Sequence, residues 1–295
     1  MNNFFTPELV DYFLIVYFNE IEKILNKNGN KINEIKFQSE ESNTDEFLKI
    51  FFKEFICLNN NIRHSKIESL ILEIGNNKRI ILVKDIMKYN IDNVLLPKDL
   101  SEEQKHLIAS NKKSIYTNPD LYLEIYDGEN KYYRSIELKS TKNNNIPGSS
   151  VQQIYPFEWV IFVQRNKDFV NITTGYYLNS ITDKLPFPDR SPRPQIGFKT
   201  LQSWNSINRI ETSTSLLIKN NNDVINDKIQ LIEDWQEFLT NEWIEIIESK
   251  TIRNNEKWFN NAIRKFSLKL LLLNQSKTDD QKNELIKNIS NNILK

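Results

Sequence analysis

Hydrophobic and polar residues alternate along two neighbouring segments near the middle of the chain, and this pattern predicts a β-hairpin. Residues 119–126 form the outgoing strand and residues 131–139 the returning strand. A turn centred between Gly128 and Glu129 sets the register of the two arms. Asp120 is therefore expected directly opposite Glu137.

The returning strand separates polar from apolar side chains. Because side chains alternate along a strand, Ser135, Glu137 and Lys139 share one face. Ile136 and Leu138 point to the other face, toward the core. With the facing aspartate, this arrangement places two carboxylates and one lysine on the same side of the hairpin.

Such a cluster is typical of a metal-dependent phosphodiesterase site. Mg²⁺ prefers hard oxygen ligands and usually keeps several waters, which leaves room for a substrate phosphate. Asp120 and Glu137 are the predicted metal ligands. Lys139, one pleat further along, is predicted to orient the attacking water or to help deprotonate it. We expect cleavage to require all three residues.

The Glu-x-Lys triplet alone is weak evidence, because 26% of the residues in this chain are charged. Further examples occur at 34–36, 103–105, 129–131 and 248–250. What distinguishes 137–139 is an alternating strand that faces a second strand beginning with Pro-Asp. The alternative interpretation is an exposed ion pair on an ordinary hairpin, which contributes only about 0–1 kcal/mol.

The remaining pattern predicts helices on both sides of the hairpin. Thr6 as a cap, followed by Pro7, predicts a helix that reaches about residue 26. Apolar residues at helical spacing predict another helix near 45–58. A short capped helix is expected at 101–110 and helical structure from Asp223 onward. Two apolar runs within 67–83 predict a second hairpin, expected beside the sheet that carries the candidate site.

These residues resemble the motif of the PD-(D/E)xK nuclease superfamily: Pro119-Asp120, then Glu137-Leu138-Lys139 on the next strand. Residues 140–164 are similar to the loop, short helix and third core strand of type II restriction endonucleases. The resemblance covers roughly residues 115–205. It implies a restriction-endonuclease-like core of the α/β (α+β) class, with a mixed sheet flanked by helices. It also implies Mg²⁺-dependent cleavage of duplex DNA, usually by a homodimer on a palindromic site.

The resemblance also implies a ligand set. The metal ligands are expected to be Asp120, Glu137 and Leu138, and Mn²⁺ is expected to substitute for Mg²⁺. Many sites of this family recruit a further acid from an upstream helix, and Glu54 is the candidate here. The alternative for Glu54 is an ordinary solvated helix carboxylate.

The predicted elements divide the chain into three regions. Residues 1–65 form a mainly helical N-terminal region, 66–222 the nuclease core with DNA-recognition loops, and 223–295 a helical C-terminal region. One compact domain is the alternative, because a 295-residue chain with 39% hydrophobic residues can bury a sizeable core.

Composition adds few constraints. The chain has 39 basic and 39 acidic residues, but eight basic residues oppose four acidic ones between Lys139 and Lys199. One cysteine excludes an intramolecular disulfide, and the two histidines lack metal-ligand spacing. The apolar runs are too short or interrupted to span a membrane, and no signal peptide is evident. We therefore expect a cytoplasmic protein without a membrane partner.

Two polar segments, 143–153 and 190–199, are predicted to contact DNA. Arginine can read guanine and glutamine can read adenine, whereas lysine and capped helix ends bind phosphates. The alternatives are a solvated basic loop and a helix cap without a ligand. The candidate DNA-binding residues are Lys142, Ser149, Ser150, Gln152, Gln153, Lys184, Arg190, Arg193, Gln195 and Lys199.

The sequence thus favours a type II restriction endonuclease that cuts both strands of a specific duplex, with a cognate DNA methyltransferase as functional partner. A repair or recombination nuclease of the same superfamily is the nearest alternative. A non-catalytic DNA-binding or structural protein is the alternative of a different class.

Overall fold

The structure is a computed structural model that describes residues 7–27, 46–110, 119–165, 169–182, 193–220, 222–249 and 258–293. The chain divides into two compact units, Met1–Glu233 and Asp234–Lys295. Every described strand lies in the first unit. Among the described helices, none is both long enough and apolar enough to cross a bilayer.

The first unit contains both strands and helices, and the described elements of the second unit are all helices. The described strands are β1 (Ser69–Ile74), β2 (Asn77–Leu82), β3 (Asn90–Leu95), β4 (Leu121–Tyr126), β5 (Lys131–Thr141), β6 (Asn145–Pro147), β7 (Trp159–Arg165), β8 (Val170–Tyr176), β9 (Gln195–Gly197), β10 (Arg209–Glu211) and β11 (Ser215–Asn220). The described helices are α1 (Leu9–Lys27), α2 (Glu46–Leu58), α3 (Val83–Ile86), α4 (Glu102–Ser110), α5 (Tyr177–Ser180), α6 (Phe198–Asn208), α7 (Asn222–Glu233), α8 (Trp235–Glu248), α9 (Trp258–Gln275) and α10 (Asp279–Asn292).

The central sheet is mixed and has the strand order β3-β4-β5-β7-β8. β5 and β7 run parallel, and the other neighbouring pairs are antiparallel. The predicted mixed sheet with helices around it is therefore confirmed. The loop, short helix and strand expected after the hairpin are also present, although the short helix is one 3-10 turn, Val151–Gln153.

The central hairpin has the predicted register. β4 and β5 pair from Tyr126 opposite Lys131 to Leu121 opposite Ile136. The Asp120 N–H donates to the Ile136 carbonyl at 3.1 Å, one residue out of step with the β4–β5 ladder, so the regular register ends at Leu121. Asp120 still lies near Glu137, whose pKa its carboxylate raises, but the ladder does not include the direct pair predicted for these two residues.

The second predicted hairpin is also present, as β1 and β2, but it does not extend the central sheet. It belongs to a separate sheet of order β10-β11-β1-β2. β1 pairs in parallel with β11, so Leu70 and Leu72 lie opposite Leu216 and Ile218, and all four are buried. Burial of these apolar residues favours a pairing between segments far apart in the sequence.

Helix α1 covers the edge of the central sheet at β8, beside which the described residues place no further strand. The Asn26 side chain accepts from the Ile172 N–H and donates to the Ile172 carbonyl, both at 2.9 Å. The Glu22 carboxylate accepts from the Thr174 N–H at 2.7 Å. These side chains satisfy the backbone groups of the edge strand and protect it from pairing with another chain.

The second unit consists of α8, α9 and α10. The rings of Trp243 and Phe259 meet edge to face with centroids 5.9 Å apart and join α8 to α9. Thr278 caps α10 through a reciprocal pair of bonds with Gln281. The Thr278 cap satisfies backbone N–H groups that would otherwise lack partners at the start of the helix.

The turn of the central hairpin depends on Asp127. Its Oδ1 accepts from the N–H groups of Glu129 and Asn130 at 3.0 and 2.8 Å, and its Oδ2 accepts from the Tyr132 hydroxyl at 3.1 Å. The backbone bonds from Asn130 and Glu129 lower the pKa of the carboxyl to about 2. The folded state therefore favours the ionised form.

We expect Asp127→Asn to lower the free energy of unfolding at pH 7. Because the pKa is lower in the folded state, the stabilisation is present above pH 4 and is lost as the pH falls toward about 2. Urea unfolding should be measured at pH 7, 4 and 3. The difference in the free energy of unfolding between variant and wild type should become smaller as the pH falls. The same substitution at exposed Asp92 is the control. A difference that stays constant with pH would contradict this role.

Candidate active site

The three predicted catalytic residues lie together at the start of β4 and the middle of β5. Asp120 and Glu137 are buried, with 6% and 7% of their surface exposed. The Lys139 ammonium lies 2.6 Å from Glu137 Oε1. The interpretation of this group as an exposed ion pair is therefore wrong, because both carboxylates have been withdrawn from water.

Asp120 is held in place by the backbone of the returning strand. The β4–β5 ladder ends at Leu121, so the N–H of Leu138 extends beyond it. This N–H donates to Asp120 Oδ2 at 2.8 Å. The N–H and carbonyl of one strand residue point to the same side, so the Leu138 carbonyl faces the same edge. The Leu138 side chain is buried in the core. The backbone carbonyl is therefore the only group of Leu138 that can serve as a metal ligand.

Ser149 reaches the site from the loop after β6. Its hydroxyl donates to Glu137 Oε1 at 3.0 Å and lies 3.4 Å from the Lys139 ammonium. Its N–H donates to the Tyr177 hydroxyl at 2.7 Å. The sequence predicted Ser149 as a DNA contact, and the structure places its hydroxyl against Glu137.

Gly148 allows this loop to approach closely. A Cβ at this position would lie 2.5 Å from the Tyr177 hydroxyl and 2.7 Å from the Pro194 carbonyl oxygen. The latter is a backbone atom that cannot rotate away. A glycine before Ser149 is therefore required for the serine to reach Glu137.

Burial and charge act together on the site. Burial raises the pKa of the Glu137 carboxyl, and the Asp120 carboxylate adds to this effect, while the Lys139 ammonium opposes it. Burial alone would lower the pKa of Lys139, but Glu137, Tyr177 and Asp120 together outweigh burial and the pKa is raised. Lys139 therefore carries a proton at neutral pH.

A second lysine, not predicted from the sequence, completes the group. The Lys49 ammonium from α2 lies 2.7 Å from Asp120 Oδ1. The sequence pointed to Glu54 of the same helix, but Glu54 is exposed. Leu48 and Phe52 face the core, and Glu54 is about 200° around the helix axis from Phe52. The helical period could have identified Lys49 as the polar residue beside the buried face.

The site offers hard oxygen ligands of the kind that Mg²⁺ prefers. Asp120 and Glu137 provide two carboxylates, and the Leu138 carbonyl faces the same edge. In the ranges described, no three or more His, Cys, Asp or Glu residues form a metal-binding group. The residues present fit an ion that keeps several of its waters, and Glu54 adds no third carboxylate.

The two predicted DNA-binding segments are paired with each other. β6 and β9 form an antiparallel ribbon in which Asn145 lies opposite Gly197. The Gly148 N–H donates to the Pro194 carbonyl at 2.8 Å. The ribbon therefore leads directly to Ser149. Sequence periodicity did not predict this pairing, because both strands are only three residues long.

Four of the other nine candidate DNA-binding residues are exposed. Ser150 is buried, and its hydroxyl has no hydrogen-bond partner among the described residues. Gln195 lies in β9 and is partly buried, and its Oε1 is 3.4 Å from the Thr182 hydroxyl. The Gln152 side chain, Lys184 and Arg190 lie outside the described residues. The exposed candidates are Lys142, Gln153, Arg193 and Lys199.

Comparison with known proteins gave no match to a family model, to a curated protein or to a solved structure.

Adjacent Ser149 and Ser150 give a matched test of the hydrogen bond to Glu137. We expect Ser149→Ala to lower the free energy of unfolding by about 1.5 kcal/mol, because a bond to a buried charged group is lost. Ser150→Ala removes a buried hydroxyl without a described partner and should be neutral or stabilising. Urea denaturation of both variants measures the difference. Equal effects would contradict the role given to Ser149.

Proposed function

We propose that this protein is a Mg²⁺-dependent endonuclease that hydrolyses phosphodiester bonds in a specific sequence of double-stranded DNA, as type II restriction endonucleases do. The observation that carries the proposal is the cluster at the end of the central hairpin. There the Leu138 N–H binds Asp120 near Glu137, and the Lys139 ammonium pairs with Glu137.

Burial of the site supports a catalytic role over a structural one. Withdrawing two facing carboxylates from water costs free energy, and two neighbouring ammonium groups offset part of that cost. A structural ion pair needs one carboxylate, not two that repel each other. Clusters of this kind are characteristic of functional sites.

The residues have distinct proposed roles. Asp120, Glu137 and the Leu138 carbonyl would hold the ion, which supplies Lewis-acid chemistry at the phosphate. Lys139 is placed to act on the attacking water. While it is paired with Glu137 it is protonated, so in this form it orients the water through a hydrogen bond. Ser149 positions Glu137.

The surroundings of the site support a nucleic-acid substrate. A two-stranded ribbon fits the width of the major groove of DNA. The β6–β9 ribbon ends beside Ser149, and exposed Lys142, Arg193 and Lys199 lie on or next to it. The mixed sheet with flanking helices agrees with the fold expected of the PD-(D/E)xK nucleases.

Cleavage of both strands needs two such sites. We therefore include a homodimer in the proposal, with one site acting on each strand. A sequence-specific nuclease must also spare the DNA of its host, so a DNA methyltransferase of the same specificity is the proposed functional partner. Mn²⁺ is proposed to substitute for Mg²⁺ because it accepts the same oxygen ligands.

Digestion of unmethylated phage DNA tests the proposal. Purified protein should give discrete fragments with Mg²⁺ and none with chelator. We expect Asp120→Asn, Glu137→Gln and Lys139→Ala each to lower the cleavage rate by about 10²- to 10⁴-fold. Each of these substitutions removes a group that acts directly on the ion or the water.

A second Glu-x-Lys triplet in α4 provides matched controls. Glu103 and Lys105 are exposed, so Glu103→Gln and Lys105→Ala should leave cleavage unchanged. Cleavage that survives loss of Asp120 and Lys139 together would overturn the mechanism. A preference for branched over linear duplex would instead support a repair or recombination nuclease. Absence of cleavage, metal binding and DNA binding would support a structural protein.

A further inference from the structure

Each carboxylate of the candidate site is paired with its own lysine. Lys139 lies 2.6 Å from Glu137, and Lys49 lies 2.7 Å from Asp120. The first lysine belongs to the same strand as its partner. The second comes from α2, a separate element, and has no place in the Asp-Glu-Lys mechanism described above.

The two oxygens of Asp120 have different partners. Oδ2 accepts from the N–H of Leu138 and is thereby tied to the hairpin backbone. Oδ1 accepts from Lys49. Oδ1 is therefore the oxygen of Asp120 that can bind a metal ion without sharing the hydrogen bond to the hairpin, and it is the oxygen that Lys49 now contacts.

The backbone beneath Lys49 is anchored, whereas its ammonium can move. Leu48 and Phe52, on either side of it in α2, are fully buried. The Lys49 side chain is 24% exposed, so water can reach it. Its long unbranched stem has several rotatable bonds, and the ammonium can leave Oδ1 without movement of the helix.

We propose that Lys49 is an exchangeable counter-ion that occupies the metal-facing oxygen of Asp120 until a divalent ion displaces it. The inference rests on the proposed function, because it assumes that Asp120 binds a metal. The lysine neutralises the buried carboxylate in the metal-free protein and competes with the ion for Oδ1. Once displaced, its ammonium remains beside the ion, where it can bind a phosphate oxygen of the DNA backbone.

Mn²⁺ binding to the full-length protein without DNA tests this competition. Calorimetric titration should show that Lys49→Met binds Mn²⁺ about tenfold more tightly than wild type, because no internal cation opposes the ion. Lys49→Gln repeats the test with a polar neutral side chain. Lys49→Arg keeps the charge and should bind Mn²⁺ as wild type does.

Lys53 gives a matched control in the same helix. Its ammonium pairs with Asp99 at 3.1 Å, away from the candidate ligands. Lys53→Met therefore removes the same charge and an ion pair of the same kind but should leave Mn²⁺ affinity unchanged. Thermal melting confirms that each variant is folded before the titration.

The outcomes separate this inference from the proposed function. Mn²⁺ affinity that is unchanged or weaker in both Lys49→Met and Lys49→Gln, with binding still lost in Asp120→Asn, would overturn the counter-ion role alone. An equal gain in Mn²⁺ affinity in Lys53→Met would also overturn it, because the overall charge of the protein would then explain the effect. Absence of Asp120-dependent Mn²⁺ binding in wild type and in every Lys49 variant would overturn both proposals.

Discussion

The hydrogen bond from the Leu138 N–H to Asp120 Oδ2 links the sheet to the site. It forms where the β4–β5 ladder ends, so the same register that pairs the two strands also sets the position of the aspartate. A shift of one residue would move Glu137 and Lys139 to the core face. The turn at Asp127 prevents that shift from the other end of the hairpin.

Charge balance is the second constraint on the site. Two carboxylates so close together would repel each other, and burial raises the pKa of the Glu137 carboxyl. Lys49 and Lys139 neutralise them from different elements, and the Ser149 hydroxyl provides a further bond. The site thus depends on three separate parts of the chain: helix α2, the central hairpin and the loop after β6.

The local pattern predicted the part of the site that one hairpin contains. Turn position and alternation were sufficient to bring Asp120 near Glu137, since both depend on neighbours in sequence. Lys49 required knowledge of how α2 packs, and the pairing of β6 with β9 joins segments about 50 residues apart. The β1–β11 pairing was missed for the same reason, because long-range strand partners are chosen by burial of apolar surface.

The central claim is that Asp120 and Glu137 bind one divalent ion together. A crystal structure of the protein with Mn²⁺, using anomalous scattering to locate the ion, tests it most directly. The account predicts one anomalous peak at about 2.1 Å from an oxygen of each carboxylate, close to the distance found for Mg²⁺. Saturating Mn²⁺ with no peak between these two carboxylates, and both lysines still paired with them, would contradict it.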